Sequence, residues 1–250
     1  MKRTYAYFIS VFLTLISGIE QIHAQDTLLI PLKIKVGLEV SGPAIYFSDN
    51  NVLNAEGYIS VDRNEKISWV FGAGFLNYKY SQYNYEYQTN GFFARAGADF
   101  NLLKPEKSLG KYWAGVGLRY GSSVFSSETP SLKHDNYWGT TSSSIGKKTY
   151  WGHFLEVSPG VRAEVLKNFS MGWTISLRML LYTGTGKDLR PIYFPGYGNS
   201  VKSFSTALNY FIVWNIPYKK ITVITKKEVP PEPDDTAGAE TGTQGSVIRQ

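Results

Sequence analysis

Eight stretches of the sequence alternate apolar and polar side chains with a period of two residues. In residues 171–181, Met, Trp, Ile, Leu, Met and Leu occupy every second position, and Gly, Thr, Ser and Arg fill most of the others. Because successive side chains of a β-strand point to opposite faces, this period is typical of strands. Each stretch is too polar to cross a membrane as a helix, but its composition suits a strand with one apolar face. The alternation therefore predicts an all-β fold.

The connections between these stretches alternate in length. Those at 63–66, 103–110 and 166–169 are short, whereas the other four, at 42–52, 80–90, 123–149 and 183–202, are longer. Outer-membrane barrels have short periplasmic turns and long outer loops. We therefore predict an eight-stranded, antiparallel, up-and-down transmembrane β-barrel in the cell outer membrane, with the N- and C-termini in the periplasm. The predicted strands are 32–41, 53–62, 67–79, 91–102, 111–122, 150–165, 170–182 and 203–216.

Charged residues in the predicted strand bodies fall on the same face as glycines. The interior of an eight-stranded barrel is just wide enough to be filled by side chains, so long charged residues fit where glycines leave space. Unpaired buried charges cost several kcal/mol each, which predicts that these residues pair. The predicted polar network of the lumen consists of Glu39, Arg95, Asp99, Arg119, Glu156, Arg162, Glu164 and Arg178, with Glu56 as a further candidate.

Aromatic residues make up 15% of the chain and collect near the ends of the predicted strands. Tyr and Trp are enriched at both water interfaces of a membrane. Trp69, Tyr112, Trp173 and Trp214 lie toward the short turns, and Trp151 lies toward the long loops. We expect these five residues to mark the two membrane interfaces.

The two ends of the chain differ in composition from the strand region. Residues 1–24 read as a signal peptide, with Lys2 and Arg3 before an apolar run and Ala24 at a plausible cleavage site. Residues 25–220 form the predicted outer-membrane β-barrel. Residues 221–250 are predicted to form a disordered periplasmic tail, because from 226 onward they contain little apolar surface and much Pro, Gly, Thr and acid.

Composition and motifs favour no enzyme. The chain has no cysteine, which excludes disulfides, thiolate metal sites and a Cys nucleophile. The pair His134-Asp135 is the only candidate metal or hydrolase motif in a loop, and a solvated loop is the simpler interpretation. Outer-membrane deacylases place a Ser two residues after a His, whereas His153 is followed there by Leu155. We predict no catalytic residue, no metal site and no cofactor.

The chain resembles a family of small outer-membrane β-barrel proteins of unknown function from Bacteroidota. The resemblance covers residues 30–217 and is strongest in three segments, 35–43, 93–101 and 115–120. It implies the barrel fold and the outer-membrane location, and it brings no catalytic residue with it.

Three functions are compatible with such a barrel. We favour a structural or interaction protein that acts through its long surface loops or its tail, with a filled, salt-bridged lumen. The loop aromatics Tyr193, Phe194 and Tyr197 are a candidate recognition surface, although turn formation is the simpler interpretation. The alternatives are a narrow channel for small solutes and an exported lipocalin-like binding barrel, which the apolar outer face disfavours.

The expected partners follow from this location. They are outer-membrane lipid, the barrel assembly machinery during insertion, and a protein partner at the surface loops or tail. The net charge of +6 is spread along the chain without a basic stripe, so we expect no nucleic-acid partner.

Overall fold

The computed structural model describes residues 26–184 and 191–225. A compact unit extends from Thr27 to Val223. The predicted signal peptide and residues 226–250 of the predicted tail lie outside the described residues.

Eight long strands form a closed barrel in the order β1-β10-β7-β6-β5-β4-β3-β2. Neighbours whose register is defined pair antiparallel, and consecutive strands lie side by side except where β10 closes the ring beside β1. The predicted eight-stranded antiparallel barrel is thereby confirmed. The strands are β1 Asp26–Glu39, β2 Val52–Asp62, β3 Ile67–Gln82, β4 Tyr85–Asn101, β5 Tyr112–Asn136, β6 Gly139–Leu166, β7 Phe169–Thr183 and β10 Phe204–Thr225.

Smaller elements lie in three of the connections. Helix α1 (Ser41–Ser48) follows β1, and the single turn α2 (Pro105–Ser108) lies between β4 and β5. Strands β8 (Tyr193–Phe194) and β9 (Gly198–Asn199) form a small hairpin between β7 and β10. Neither helix in the described part of the chain has the length and apolar content needed to cross a bilayer.

Two of the predicted long loops are strands instead. Tight turns at 83–84 and 137–138 join β3 to β4 and β5 to β6, so loops at 80–90 and 123–149 were wrong predictions. From residue 132 to 149 every side chain except that of Ile145 is exposed, on both faces of the hairpin. A strand that has water on both sides needs no alternation of apolar and polar residues. The two-residue sequence pattern therefore does not detect such a strand. At the other end of the barrel, β10 extends to Thr225, beyond the predicted boundary at 220.

The outer face of the barrel wall is uncharged. Apolar side chains on it are broadly exposed, among them Phe71, Phe92, Leu118 and Leu208, each more than half exposed. The outward positions carry no Asp, Glu, Lys or Arg in residues 34–38, 53–61, 67–77, 92–102, 112–124, 149–165, 169–181 and 204–216. Charged residues of these segments lie on the inner face, where glycines alternate with them.

Candidate functional site: a filled lumen and a projecting hairpin

Glu156 is the centre of the ion-pair network in the barrel. Its side chain is fully buried, and its carboxylate accepts hydrogen bonds from Arg119 Nη1 at 3.1 Å and Arg178 Nε at 2.8 Å. Arg95 forms a third ion pair with it, and the Ser158 hydroxyl donates to Oε1 at 2.8 Å. Three guanidinium groups from three different strands therefore converge on one carboxylate from β6.

Two further carboxylates extend this network. Glu56 forms an ion pair with Arg95 Nη2, whereas Glu156 pairs with Nη1 of the same guanidinium group. Asp99 accepts a hydrogen bond from Arg119 Nη2 at 2.9 Å, and its second oxygen lies 3.6 Å from Arg162 Nη2. The structure thus brings together six of the predicted lumen residues with Glu56: Arg95, Asp99, Arg119, Glu156, Arg162 and Arg178.

The other two predicted lumen residues lie apart from this cluster. The Glu164 carboxylate forms an ion pair with Lys33 and accepts the backbone N–H of Asn168 at 3.1 Å, at the short-turn end. The Glu39 carboxylate lies at the opposite end, where it accepts the backbone N–H groups of Ser41 and Gly42 at 2.8 and 2.9 Å. Glu39 thereby holds the start of α1.

Two ion pairs at the short-turn end involve residues that the sequence reasoning missed. Lys33 pairs with Glu164, and Lys35 pairs with Asp62, whose carboxylate also accepts the Ser68 hydroxyl at 2.6 Å. The signal was present in the sequence, because Lys33 and Lys35 share the parity of Gly37 in β1. Together with the central cluster and Glu39, these residues give the lumen six cations and six carboxylates.

An aromatic plug closes the loop end of the lumen. Phe194 and Tyr197, on the β8–β9 hairpin, are fully buried, and their rings stack with centroids 5.0 Å apart. Phe194 also stacks on Phe125 of β5 at 5.1 Å and packs against Phe154 of β6 at 6.3 Å. The candidate recognition surface on this connection was therefore wrong for Phe194 and Tyr197, which point into the barrel and not toward solvent.

Tyr87 of β4 fixes the plug to the barrel wall. Its buried hydroxyl accepts the backbone N–H groups of Ile192 and Tyr193 at 3.1 and 3.3 Å and lies 3.0 Å from the Ser127 hydroxyl. Stacking of Tyr78 on Tyr193, with centroids 4.5 Å apart, adds a second attachment. The plug thus belongs to the packed core.

The β5–β6 hairpin extends well beyond the plug. Beyond Ser127, nine residues of β5 continue to its end at Asn136, a length of about 30 Å for an extended strand. Tyr137 and Trp138 form the turn, are 93% and 90% exposed, and contact each other edge to face at 5.2 Å. Two large aromatic rings thus lie in solvent at the tip of a largely polar hairpin.

Within residues 26–184 and 191–225, the outer edge of this hairpin has no neighbouring strand. The pairing of β6 with β7 ends at Gly152, and no described strand lies beside Gly139–Gly146 on that side. An edge strand of this kind offers its backbone N–H and C=O groups to another chain.

The five predicted interface aromatics all lie on the outer face of the barrel. Their exposure ranges from 42% for Trp173 to 57% for Trp214, with Trp69, Tyr112 and Trp151 between these values. Near Trp151, the Tyr120 hydroxyl lies 2.9 Å from His153 Nδ1, also on this face. Among the described residues, no group of three or more His, Asp or Glu is arranged to hold a metal ion.

The comparison with known proteins gives a family. Solved structures that are similar include the N-terminal β-barrel domain of Pseudomonas aeruginosa OprF, at 7% identity and a TM-score of 0.28, over 76% of this chain and all of that one. Acinetobacter baumannii CarO is similar at 10% identity and a TM-score of 0.32, over 76% of this chain and 98% of the other. No curated protein matches. Residues 4–221 match the family model described as Domain of unknown function (DUF6048), so the chain belongs to that family.

Proposed function

We propose that this protein is an outer-membrane barrel that acts as an interaction protein through the β5–β6 hairpin and not as a pore. The uncharged, apolar outer face supports the membrane location, because exposed apolar surface of this extent is typical of lipid contact. The resemblance to Bacteroidota outer-membrane barrels agrees with it. Both termini of the barrel lie at the short-turn end, which supports a periplasmic location for them and a cell-surface location for the hairpin.

The observation that carries the proposed role is the contrast between the lumen and the hairpin. Ion pairs fill the middle of the lumen and aromatic rings fill its loop end, so the interior leaves little space for a solute. The hairpin, in contrast, exposes Tyr137, Trp138 and a free strand edge. Exposed aromatic residues are common anchors of protein interfaces, and a free edge allows strand addition. A protein partner bound at the cell surface fits both features.

Site-specific photocrosslinking tests the role of the hairpin. A benzophenone side chain introduced at Ser142, on the free edge, is expected to give protein adducts in intact cells. The same side chain at Val157, on the outer barrel wall, is the control and is expected to contact lipid. Replacing Tyr137 and Trp138 by Ser should abolish the Ser142 adduct while leaving the amount of folded barrel unchanged. Absence of any protein adduct across 133–147 would contradict the proposal.

A narrow channel is the second candidate function, and one cavity favours it. This cavity, of about 50 Å³, lies at the short-turn end and is lined by Lys33, Asp62, Asn101, Arg162 and Asn215 among others. Planar-bilayer conductance distinguishes the two candidates. The interaction role predicts background conductance for the unaltered chain, whereas a channel predicts discrete openings that increase in Arg95→Ala or Glu156→Ala.

A further inference from the structure

Exposed positive charge is concentrated at the short-turn end of the barrel. Within residues 26–184 and 191–225, this end has eight exposed cations, which we call the basic rim: Arg63, Lys66, Lys104, Lys107, Lys111, Lys167, Lys219 and Lys220. The same turns and strand ends contain three acids outside the lumen ion pairs, Asp26, Glu65 and Glu106. Eight cations against three acids give this end a net charge of +5.

The rest of the described barrel carries almost no net charge. The segments at the loop end, 40–51, 79–90, 126–149 and 191–203, contain five lysines and four acids. The lumen between the two ends has six cations and six carboxylates. The fold therefore collects at one end a positive charge that is spread along the sequence.

The basic rim lies directly beyond the outward aromatic residues of the short-turn end. Lys66 is three residues from Trp69, Lys111 precedes Tyr112, and Lys167 lies two residues before the start of β7. At about 3.3 Å per residue, Lys66 and Lys111 begin within about 10 Å of these rings along the strand. Tyr and Trp lie at the headgroup level of a membrane, and the long stem of a lysine extends its charge further into that layer.

The basic rim also surrounds the barrel. Its members come from all three short turns and from the end of β10, which are four separate places on the closed ring of strands. A protein or peptide contacts one side of a barrel, whereas lipid contacts the whole circumference. Seven of the eight cations are lysines, whose compact charge suits exchangeable phosphate contacts better than one fixed bidentate pair.

We infer that the basic rim binds the phosphate groups of anionic phospholipids in the membrane leaflet next to the short-turn end. Basic residues beside a bilayer are attracted to anionic lipid, and the attraction decreases within a Debye length of the surface. The inference rests on the membrane location in the proposed function and is independent of what the hairpin binds.

Quenching of tryptophan fluorescence by lipids with brominated acyl chains measures the lipid preference at this end. In the full mature chain with Trp151→Phe, the tryptophans on the outer wall are Trp69, Trp173 and Trp214, all toward the short turns. Brominated phosphatidylglycerol at low salt should associate about threefold more strongly than brominated phosphatidylcholine, and high salt should remove the difference. Equal association of the two lipids at low salt would overturn the inference.

Two sets of three substitutions locate the preference. Lys66→Gln, Lys111→Gln and Lys167→Gln together should bring the ratio close to one. The matched control combines Lys79→Gln, Lys133→Gln and Lys147→Gln at the loop end and should keep the threefold ratio. An equal fall in both sets would contradict a site at the basic rim.

Two further outcomes separate the alternatives. A preference for phosphatidylglycerol that appears only after residues 226–250 are removed would overturn the inference and assign the basic rim to the acidic residues of the chain's own tail. Absence of quenching by either lipid would contradict the membrane location itself, whereas quenching without preference contradicts the lipid site alone.

Discussion

Glu156 has more charged neighbours than any other carboxylate described in the lumen. Three arginines share it, so its negative charge compensates groups from β4, β5 and β7 at once. Ion pairs that are removed from water contribute little net stability while intact, but they cost much when one member is removed. The network is therefore sensitive to the loss of Glu156.

Removing only the charge of Glu156 should destabilise the barrel strongly. Glu156→Gln keeps the shape of the side chain and leaves Arg178 and Arg119 without their shared carboxylate, so we expect a loss of about 3–5 kcal/mol. Urea unfolding followed by tryptophan fluorescence measures it. Glu106→Gln, on exposed α2, is the matched control and should change stability by less than about 0.5 kcal/mol. Equal midpoints for the two variants would show that the network does not stabilise the fold.

Glycines on the inner face give room to large rings. A Cβ at Gly121 would lie 2.2 Å from Phe154 Cζ, whereas a Cβ at Gly146 would meet nothing within 4 Å. We expect Gly121→Val to cost about 1–3 kcal/mol through overpacking and Gly146→Val, on the same strand pair, to cost nothing or to stabilise. Urea midpoints of the two variants test this difference. A Gly121→Val barrel as stable as the unaltered chain would mean that Phe154 has another place to lie.

The sequence predicts part of the arrangement of individual side chains. The parity of glycines and charges identifies which side chains share a face, and Arg95 and Asp99 lie on the inner face that this parity assigns to them. Parity does not determine which charged residues form ion pairs, because pairing depends on the register between strands. Glu39 shares the parity of the others yet binds the first turn of α1.

The elements that close and extend the barrel were harder to predict. The plug forms from a connection rich in Pro and Gly, and its position depends on contacts with Tyr87, Phe125 and Phe154 that are distant in sequence. The β5–β6 hairpin lacks alternation because water surrounds it. Both elements were missed for the same reason. Alternation of apolar and polar residues with a period of two detects only strands that have one apolar and one polar face.

The Tyr87 hydroxyl should determine how firmly the plug is held. In Tyr87→Phe the N–H groups of Ile192 and Tyr193 lose their acceptor inside the barrel, which costs about 1–3 kcal/mol. We expect a lower urea midpoint and faster proteolytic cleavage between 184 and 203. Tyr83→Phe, in the exposed β3–β4 turn, makes the same chemical change without effect. Cleavage at equal rates in both variants would show that the plug is held by ring packing alone.

At the scale of the whole molecule, the barrel has its polar residues inside and its apolar residues outside. Such an arrangement is stable where the surroundings are lipid, and the ends of the barrel then face two different aqueous compartments. The sequence predicted this architecture well, since eight alternating stretches and three short turns define strand number and order. Under the proposed function, partner binding is expected on the surfaces beyond the membrane, because side chains fill the lumen.

Cysteine accessibility in intact cells measures this arrangement directly, because the chain has no cysteine of its own. Single cysteines replace Ser143 on the hairpin, Leu118 on the outer wall and Lys66 in a short turn, and a membrane-impermeant maleimide is added. The account predicts labelling at 143 in intact cells, labelling at 66 only after the outer membrane is permeabilised, and labelling at 118 only in detergent. Labelling at 118 as fast as at 143 in intact cells, or at 66 before 143, would contradict it.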